Sequence, residues 1–239
     1  RIGTSGWSYD HWDGVLYRPG LPQRDRLARY VEEFDTVELN ASFYRWPPPA
    51  TFASWRRRLP DGFEMAVKAP RGLTHARRLF EPERWIERMS AGLHELAGHR
   101  GPLIVQLPPT MQRDDDRLDW FLAQLPSWTQ PTLEFRHPSW NDEDVFRLLE
   151  RRGAAYCVMS GAELPCILRA TADLVYVRLH GPDHHALYGG SYSDDALAWW
   201  ADRIREWEGQ GRRVWAFFNN DGEGNAVRNA RSLRTALTA

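Results

Sequence analysis

Eight short runs with the two-residue period of β-strands recur along this chain, and most of the segments between them carry the 3.6-residue period of helices. The strand-like runs are RIGTSGW (1–7), TVELNASF (36–43), FEMAVKAP (63–70), PLIVQLPP (102–109), TLEFRHPSW (132–140), AYCVMS (155–160), LVYVRLHG (174–181) and RVWAFFNND (213–221). LPQRDRLARYVEEF, PATFASWRRRL, PERWIERMSAGLHELAGH, DRLDWFLAQL, NDEDVFRLLERRG, SDDALAWWADRIREWEGQG and NAVRNARSLRTAL read as helices. In SDDALAWWADRIREWEGQG, Leu197, Trp200, Ile204 and Trp207 share a face, Ser193 is placed to cap, and Gly209 and Gly211 end the helix. The weakest connection follows AYCVMS, so irregularity is expected around the sixth strand-helix unit. Strand followed by helix, repeated over 239 residues without a linker or low-complexity break, predicts an α/β chain forming a single (β/α)₈ TIM-like barrel domain over residues 1–239. An open doubly wound sheet shares the alternation, but the glycine-rich nucleotide fingerprint after the first strand is missing.

Composition narrows the partners. With 42% hydrophobic and 26% charged residues the chain can bury a large core, and a net charge of -1 gives no basic surplus for coating nucleic acid or an anionic membrane. A nucleic-acid partner is therefore not favoured, although a local basic groove is allowed. No apolar run approaches the roughly 20 residues of a membrane span, and the opening RIGTSGW reads as a strand rather than a leader segment. The two cysteines, Cys157 and Cys166, have no metal-finger spacing and suggest no disulfide scaffold, so a reducing, cytoplasmic setting is expected.

In a barrel, alternate strand residues point inward. If Val37 and Leu39 face the helices, Glu38 and Asn40 face in; the same parity places Lys68, Gln106, Glu134, Arg136, Arg178, His180, Phe217 and Asn219 inside. Six strands thus carry polar groups inward, mostly toward their carboxyl ends, where barrel enzymes assemble their sites. Counting Glu38, Glu134 and Asp221 against Lys68, Arg136 and Arg178 gives three negative and three positive charges, so mutual neutralisation as a polar plug is the alternative. Buried ion pairs contribute little to stability relative to good apolar packing, which favours a site. Arg136 is expected to hold Glu134 or Glu38 with its fork. Strand-end loops add aromatic groups at Trp7, Tyr9, Phe43, Tyr44, Trp46, Trp140, Tyr188 and Tyr192, whose flat faces suit a sugar ring or a base. Trp55, Trp85, Trp120, Trp200 and Trp207 lie on helices and are expected to pack. Gly222 and Gly224 precede a helix start that can hold an anion, although Asn-Asp-Gly is also a common turn.

These residues support an enzyme that needs no metal or other cofactor and acts as a hydrolase or lyase on a small polar or anionic ligand, sugar- or phosphate-containing, at the strand carboxyl ends. Glu38 and Glu134 would be acid and base, one beside Arg136 and the other near Lys68, with His180, Arg178 and Lys68 meeting developing charge. Asn40, Gln106, Arg136, His137, Asn219, Asn220, Asp221, Trp7, Tyr44, Trp140 and Tyr192 complete the expected ligand-binding set. A metal-dependent phosphodiesterase or nuclease using Glu134, His180 and Asp221 is the alternative, opposed by three cations on the same floor and by the lack of a recognisable ligand spacing. A non-catalytic metabolite or nucleic-acid binding protein is a third class. His184 and His185 are expected to be exposed, and Cys157 to be inert core.

GTSGWSY, VELNASFYRWP, FEMAVKAPRGLTH, GPLIVQLPP, EFRHPSW, YVRLHG, a Tyr-Gly-Gly-x-Tyr segment and FFNNDGEGNAVRNA, in that order over nearly the whole chain, resemble the YecE-like TIM-barrel proteins, domain of unknown function seventy-two. The resemblance implies a (β/α)₈-like barrel and a polar signature at Glu38, Asn40, Lys68, Gln106, Glu134, Arg136, His137, Arg178, His180, Asn219, Asn220 and Asp221. It implies no reaction. The paired histidines of HGPDHHALYGG depart from the pattern.

Overall fold

A computed structural model describes residues 1–183 and 185–238. Eight strands form: β1 (Ile2–Thr4), β2 (Thr36–Leu39), β3 (Glu64–Lys68), β4 (Arg100–Gln106), β5 (Pro131–Glu134), β6 (Ala155–Ser160), β7 (Leu174–Leu179) and β8 (Arg213–Phe218). Helices follow as α1 (Gln23–Val31), α2 (Pro49–Arg56), α3 (Glu83–Glu95), α4 (Asp115–Gln124), α5 (Glu143–Arg152), α6 (Asp194–Gly209) and α7 (Asn225–Thr238). The strands are ordered β1-β8-β7-β6-β5-β4-β3-β2 in one sheet, and the Ser5–Glu38 bridge joins the segment after β1 to β2. This is the topology of a (β/α)₈ TIM-like barrel.

Helix boundaries follow capping chemistry. Asp142 begins α5 by accepting the Asp144 N–H, acidic Glu143 and Asp144 occupy its first turn, and Arg151 and Arg152 lie in its last turn before a left-handed Gly153. Ser193 caps α6 by accepting the Ala196 N–H, and Leu197, Trp200, Ile204 and Trp207 are buried on one face as the periodicity predicted. The sixth connection, residues 161–173, contains no α-helix. Instead Thr171 stitches it down, its hydroxyl accepting from Tyr156 N at 2.8 Å and donating to Ala154 O at 2.7 Å.

The chain packs as two compact units. The terminal unit comprises residues 1–38, 158–168 and 174–239; the central unit comprises residues 39–157 and 169–173. In the terminal unit β7 pairs with β8 along its whole length and β8 with β1, while α6 and α7 pack together beside them. Its core includes Val175, Val177, Ala216, Phe218, Val227 and Leu233, all buried. In the central unit β3, β4 and β5 pair in sequence order over buried Met65, Val67, Val105 and Leu133. Branched apolar side chains on the helix-facing parity of these strands supply the main driving force, through the area each removes from water.

Glycine controls how closely β1 approaches β2. A Cβ on Gly3 would stand 2.4 Å from Thr36 O, a contact with backbone that no rotamer change relieves. Gly3→Ala is expected to destabilise the fold by about 1–3 kcal/mol, the usual range for an overpacked site, read as a lowered midpoint in urea with an unchanged slope.

Candidate functional site

In the terminal unit, the inward parity of β2 and β7 puts one carboxylate among three donors. Glu38 is fully buried; Arg178 Nη2 donates to its Oε1 at 2.7 Å, Tyr176 Oη donates to its Oε2 at 2.7 Å, and Ser5 Oγ also donates to Oε1. Tyr176 and Arg178 are likewise buried, being two residues apart on β7 and so on the same face. The cation paired with Glu38 is therefore Arg178, whereas the sequence offers Arg136 or Lys68 as its neighbour. The reason is register: alternation along β7 delivers a phenol and a guanidinium to the same carboxylate.

Beyond β7, His180 is buried, and Asn219 Nδ2 lies 3.1 Å from its Nδ1. An amide N–H in that position makes Nδ1 the acceptor and leaves the ring proton on Nε2. Tyr188 lies against the ring with centroids 5.4 Å apart. The loop carrying Tyr188 is held by backbone and side-chain bonds: Tyr188 N donates to His180 O, and Asn220 Nδ2 donates to Gly190 O and Asn229 Oδ1. Gly181 permits the close return with φ +101°, since a Cβ there would stand 2.1 Å from Gly189 O.

In the central unit, three adjacent strand ends contribute. Glu134 at the end of β5 is fully buried and accepts on Oε1 from Gln106 Nε2 and from Nε and Nη2 of Arg136. The register of β4 against β5 aligns Gln106 with Glu134 directly. Arg136 thus directs two nitrogens at Glu134 Oε1, so of its two expected partners, Glu134 and Glu38, it holds the one on its own strand. Cys157 is buried with its sulfur 3.9 Å from Glu134 Oε2. Lys68, at the end of β3, is also buried, with Nζ 4.2 Å from the centroid of the Phe43 ring.

The loop after β3 adds a group that alternation did not identify. Residues Gly72–Ala76 form a π-helical turn, and in it half-buried His75 sets its ring edge-on to Phe43, centroids 4.9 Å apart. Its Nδ1 lies 2.9 Å from Thr74 Oγ1. Burial, followed by the charges of Lys68 and Arg71, pushes the His75 pKa below the ordinary imidazole value; Glu134 opposes this and Arg136 adds to it.

Other expected residues are engaged in the fold. Trp140 is fully buried, stacked on Phe135 at 4.8 Å with Nε1 donating to Met111 O at 2.8 Å, so its ring is committed to packing rather than open to a ligand. Tyr192 is buried as well; Gly181 N donates to its hydroxyl, which lies 3.1 Å from Ser160 Oγ, and burial pushes its pKa up to about 12. His137 caps the following turn by accepting from Ser139 N. Asp221 points toward the first loop: its carbonyl accepts from Trp12 Nε1, and His11 Nε2 lies 2.7 Å from that same oxygen. Trp7 is half-buried and its carbonyl accepts from Tyr17, Tyr44 is 71% exposed beside Phe43, and half-buried Asn40 sits just past the end of β2 with no partner for its Oδ1 among the described residues. Among the helix tryptophans, Trp200 and Trp207 are buried, but Trp120 is 42% exposed. The space over Gly224 is filled by Val15, so this glycine serves close packing, whereas the space over Gly222 is open. His185 is exposed, and His184 lies outside the described residues. Among the described residues no three His, Cys, Asp or Glu side chains converge as a metal-binding set, which gives the arrangement of Glu134, His180 and Asp221 about a metal no support.

Tyr176 had a visible signal in its shared parity with Arg178, and Ser5 lies in the GTSGW run. His75 had only its place in FEMAVKAPRGLTH, beyond the strand end, where a two-residue period no longer assigns a face.

Comparisons with known proteins agree with this architecture. A 26% identical relative, UPF0759 protein YunF of Bacillus subtilis (strain 168), aligns over 99% of this chain and 94% of its own length. The crystal structure of a DUF72 family protein from Thermotoga maritima MSB8 superimposes with a TM-score of 0.90 at 26% identity, over 100% of this chain and 99% of that one. That of a DUF72 family protein from Enterococcus faecalis V583 gives 0.87 at 17% identity, covering 100% and 95%, and shows the same fold. The model of the protein of unknown function DUF72 matches residues 1–239, and the chain belongs to that family.

Proposed function

We propose that the protein is an enzyme that binds a small anionic ligand, sugar- or phosphate-bearing, at the ends of β3, β4 and β5 and works on it by metal-independent proton transfer of the hydrolase or lyase type. The observation that carries this reading is the placement of Lys68, Arg136, Gln106 and Glu134 on three neighbouring strand ends of the central unit. Cationic and amide donors gathered at strand ends offer an anion charge-assisted hydrogen bonds. Lys68 is a mobile point charge and Arg136 a planar fork, a combination suited to a phosphate or carboxylate. The same cations disfavour a divalent metal at this place.

Glu134 is the acid/base carboxylate of this site, because Arg136 and Gln106 hold its charged form until an arriving anion draws Arg136 away. Glu38 serves differently. With a donor on each of its oxygens and no exposure, it fixes Arg178, Tyr176 and Ser5 in place and acts as a positioning residue.

Titration calorimetry with glucose 6-phosphate and with inorganic phosphate tests the binding. Both are expected to bind the wild-type protein, and Lys68→Met and Arg136→Met are each expected to weaken binding about tenfold or more, the worth of a charge-assisted contact. Wild-type affinity in both variants, or no binding at all, overturns the reading. Glu38 makes a separate expectation about stability: Arg178→Met strands a buried carboxylate and is expected to cost about 3–5 kcal/mol, most of it regained in the Glu38→Gln/Arg178→Met double variant, as measured by denaturant unfolding.

A further inference from the structure

We infer that a cleft between the loop after β3 and the start of α3 binds a nucleoside phosphate. It is lined by Arg77, Glu81, Glu83, Arg84, Trp85 and Arg88, and its volume of about 710 Å³ lies within the roughly 300–1,000 Å³ of small-molecule sites. All six residues belong to the central unit, and none is among the strand-end donors invoked above. Charge sets the sign of the ligand. Arg77 and Glu81 pair at 3.1 Å and neutralise each other. Arg84 and Arg88 pair with no carboxylate among the described residues; Arg84 has no hydrogen-bond partner there, and Arg88 has only Trp46 O, 3.4 Å from its Nη2. Four residues apart on one helix face, the two guanidinium groups repel each other. A phosphate set between them removes that repulsion and accepts from both forks.

The aromatic ring and the remaining acid specify the rest of the ligand. Trp85 is half-buried, and a Cβ on Gly72 would stand 2.3 Å from its Cη2, so the six-membered edge of the indole rests on the π-helical turn. Trp46 and Trp140 lie against Phe52 and Phe135, whereas Trp85 neither stacks on another ring nor carries a cation among the described residues. An indole anchored by one edge and otherwise unstacked is a platform for a flat ring such as a nucleobase. Glu83 stands in the first turn of α3. An ionised carboxylate only accepts, which suits ribose hydroxyls or a base amino group and favours a nucleoside phosphate over bare phosphate. The wall of the cleft is held in a costly backbone: Arg78 (φ +49°), Leu79 (φ +67°) and Glu81 (φ +46°) are left-handed without being glycine, and the fully buried Leu79 anchors them. Strain of this kind gathers at ligand clamps.

The test is titration of the intact protein with AMP and with ribose 5-phosphate, followed by ¹H–¹⁵N NMR at the indole N–H of Trp85, which a Trp85→Phe variant assigns. Because the signal comes from the cleft itself, binding at the strand ends does not enter it. AMP is expected to shift the resonance saturably, and ribose 5-phosphate, which lacks the base, to bind there at least about tenfold more weakly. An Arg84→Gln/Arg88→Gln variant, changed only at exposed helix positions, is expected to weaken AMP about tenfold or more. An unmoved Trp85 resonance, equal affinity for the two ligands, or full AMP affinity in the arginine variant overturns the inference. The strand-end reading is decided separately, by the calorimetry of Lys68→Met and Arg136→Met.

Discussion

The buried carboxylate of Glu38 is the constraint around which the terminal unit is arranged. An ionised group with no water around it persists only if each oxygen is met by a donor. Ser5 after β1 and Tyr176 and Arg178 on β7 supply those donors. Each donor must come from a defined strand position, so the pair fixes register as well as charge. A one-residue slip of β7 would turn Tyr176 and Arg178 to the helix-facing side and leave Glu38 without a cation. Gly3 belongs to the same constraint, since its missing Cβ lets β1 lie against Thr36 and brings Ser5 within reach of Glu38.

Strand parity made most of this visible in the sequence. Glu38, Lys68, Gln106, Glu134, Arg178 and His180 were assigned inward from two-residue alternation alone, and all six are buried. The irregular sixth connection was equally legible, because 161–173 holds Pro165 and Gly161 but no sustained helical face. What parity did not reveal was which charge pairs with which. Parity places strand residues on a face, but their partners depend on relative strand register, and so it leaves Glu38 between Arg136 and Lys68 as neighbours while the structure pairs it with Arg178.

Loops carry less of this signal for a related reason. Trp140 and Tyr192 looked like ligand-stacking groups because aromatic side chains on loops often are, but a loop that doubles back can bury its own ring. Trp140 does so on Phe135, and Tyr192 does so beneath the Gly181 backbone. His75 is the converse case. No period marks a π-turn, and neither burial nor charge could be assigned to that histidine until the turn's backbone and its neighbours Lys68 and Arg71 were placed.

Glu38 and Glu134 are indistinguishable by parity, and their surroundings separate them. Glu38 divides its donors between both oxygens and draws them from two other strand segments, all fully buried, so no ligand can replace a partner without unmaking the packing. Glu134 takes a charged donor, Arg136, from a half-buried position just past the end of its own strand. On the proposed reading, a partner at that position is the one an incoming anion would share, and a guanidinium turned toward the anion would hold Glu134 less firmly. That difference between the two carboxylates follows from where β5 ends rather than from any feature of the glutamate itself.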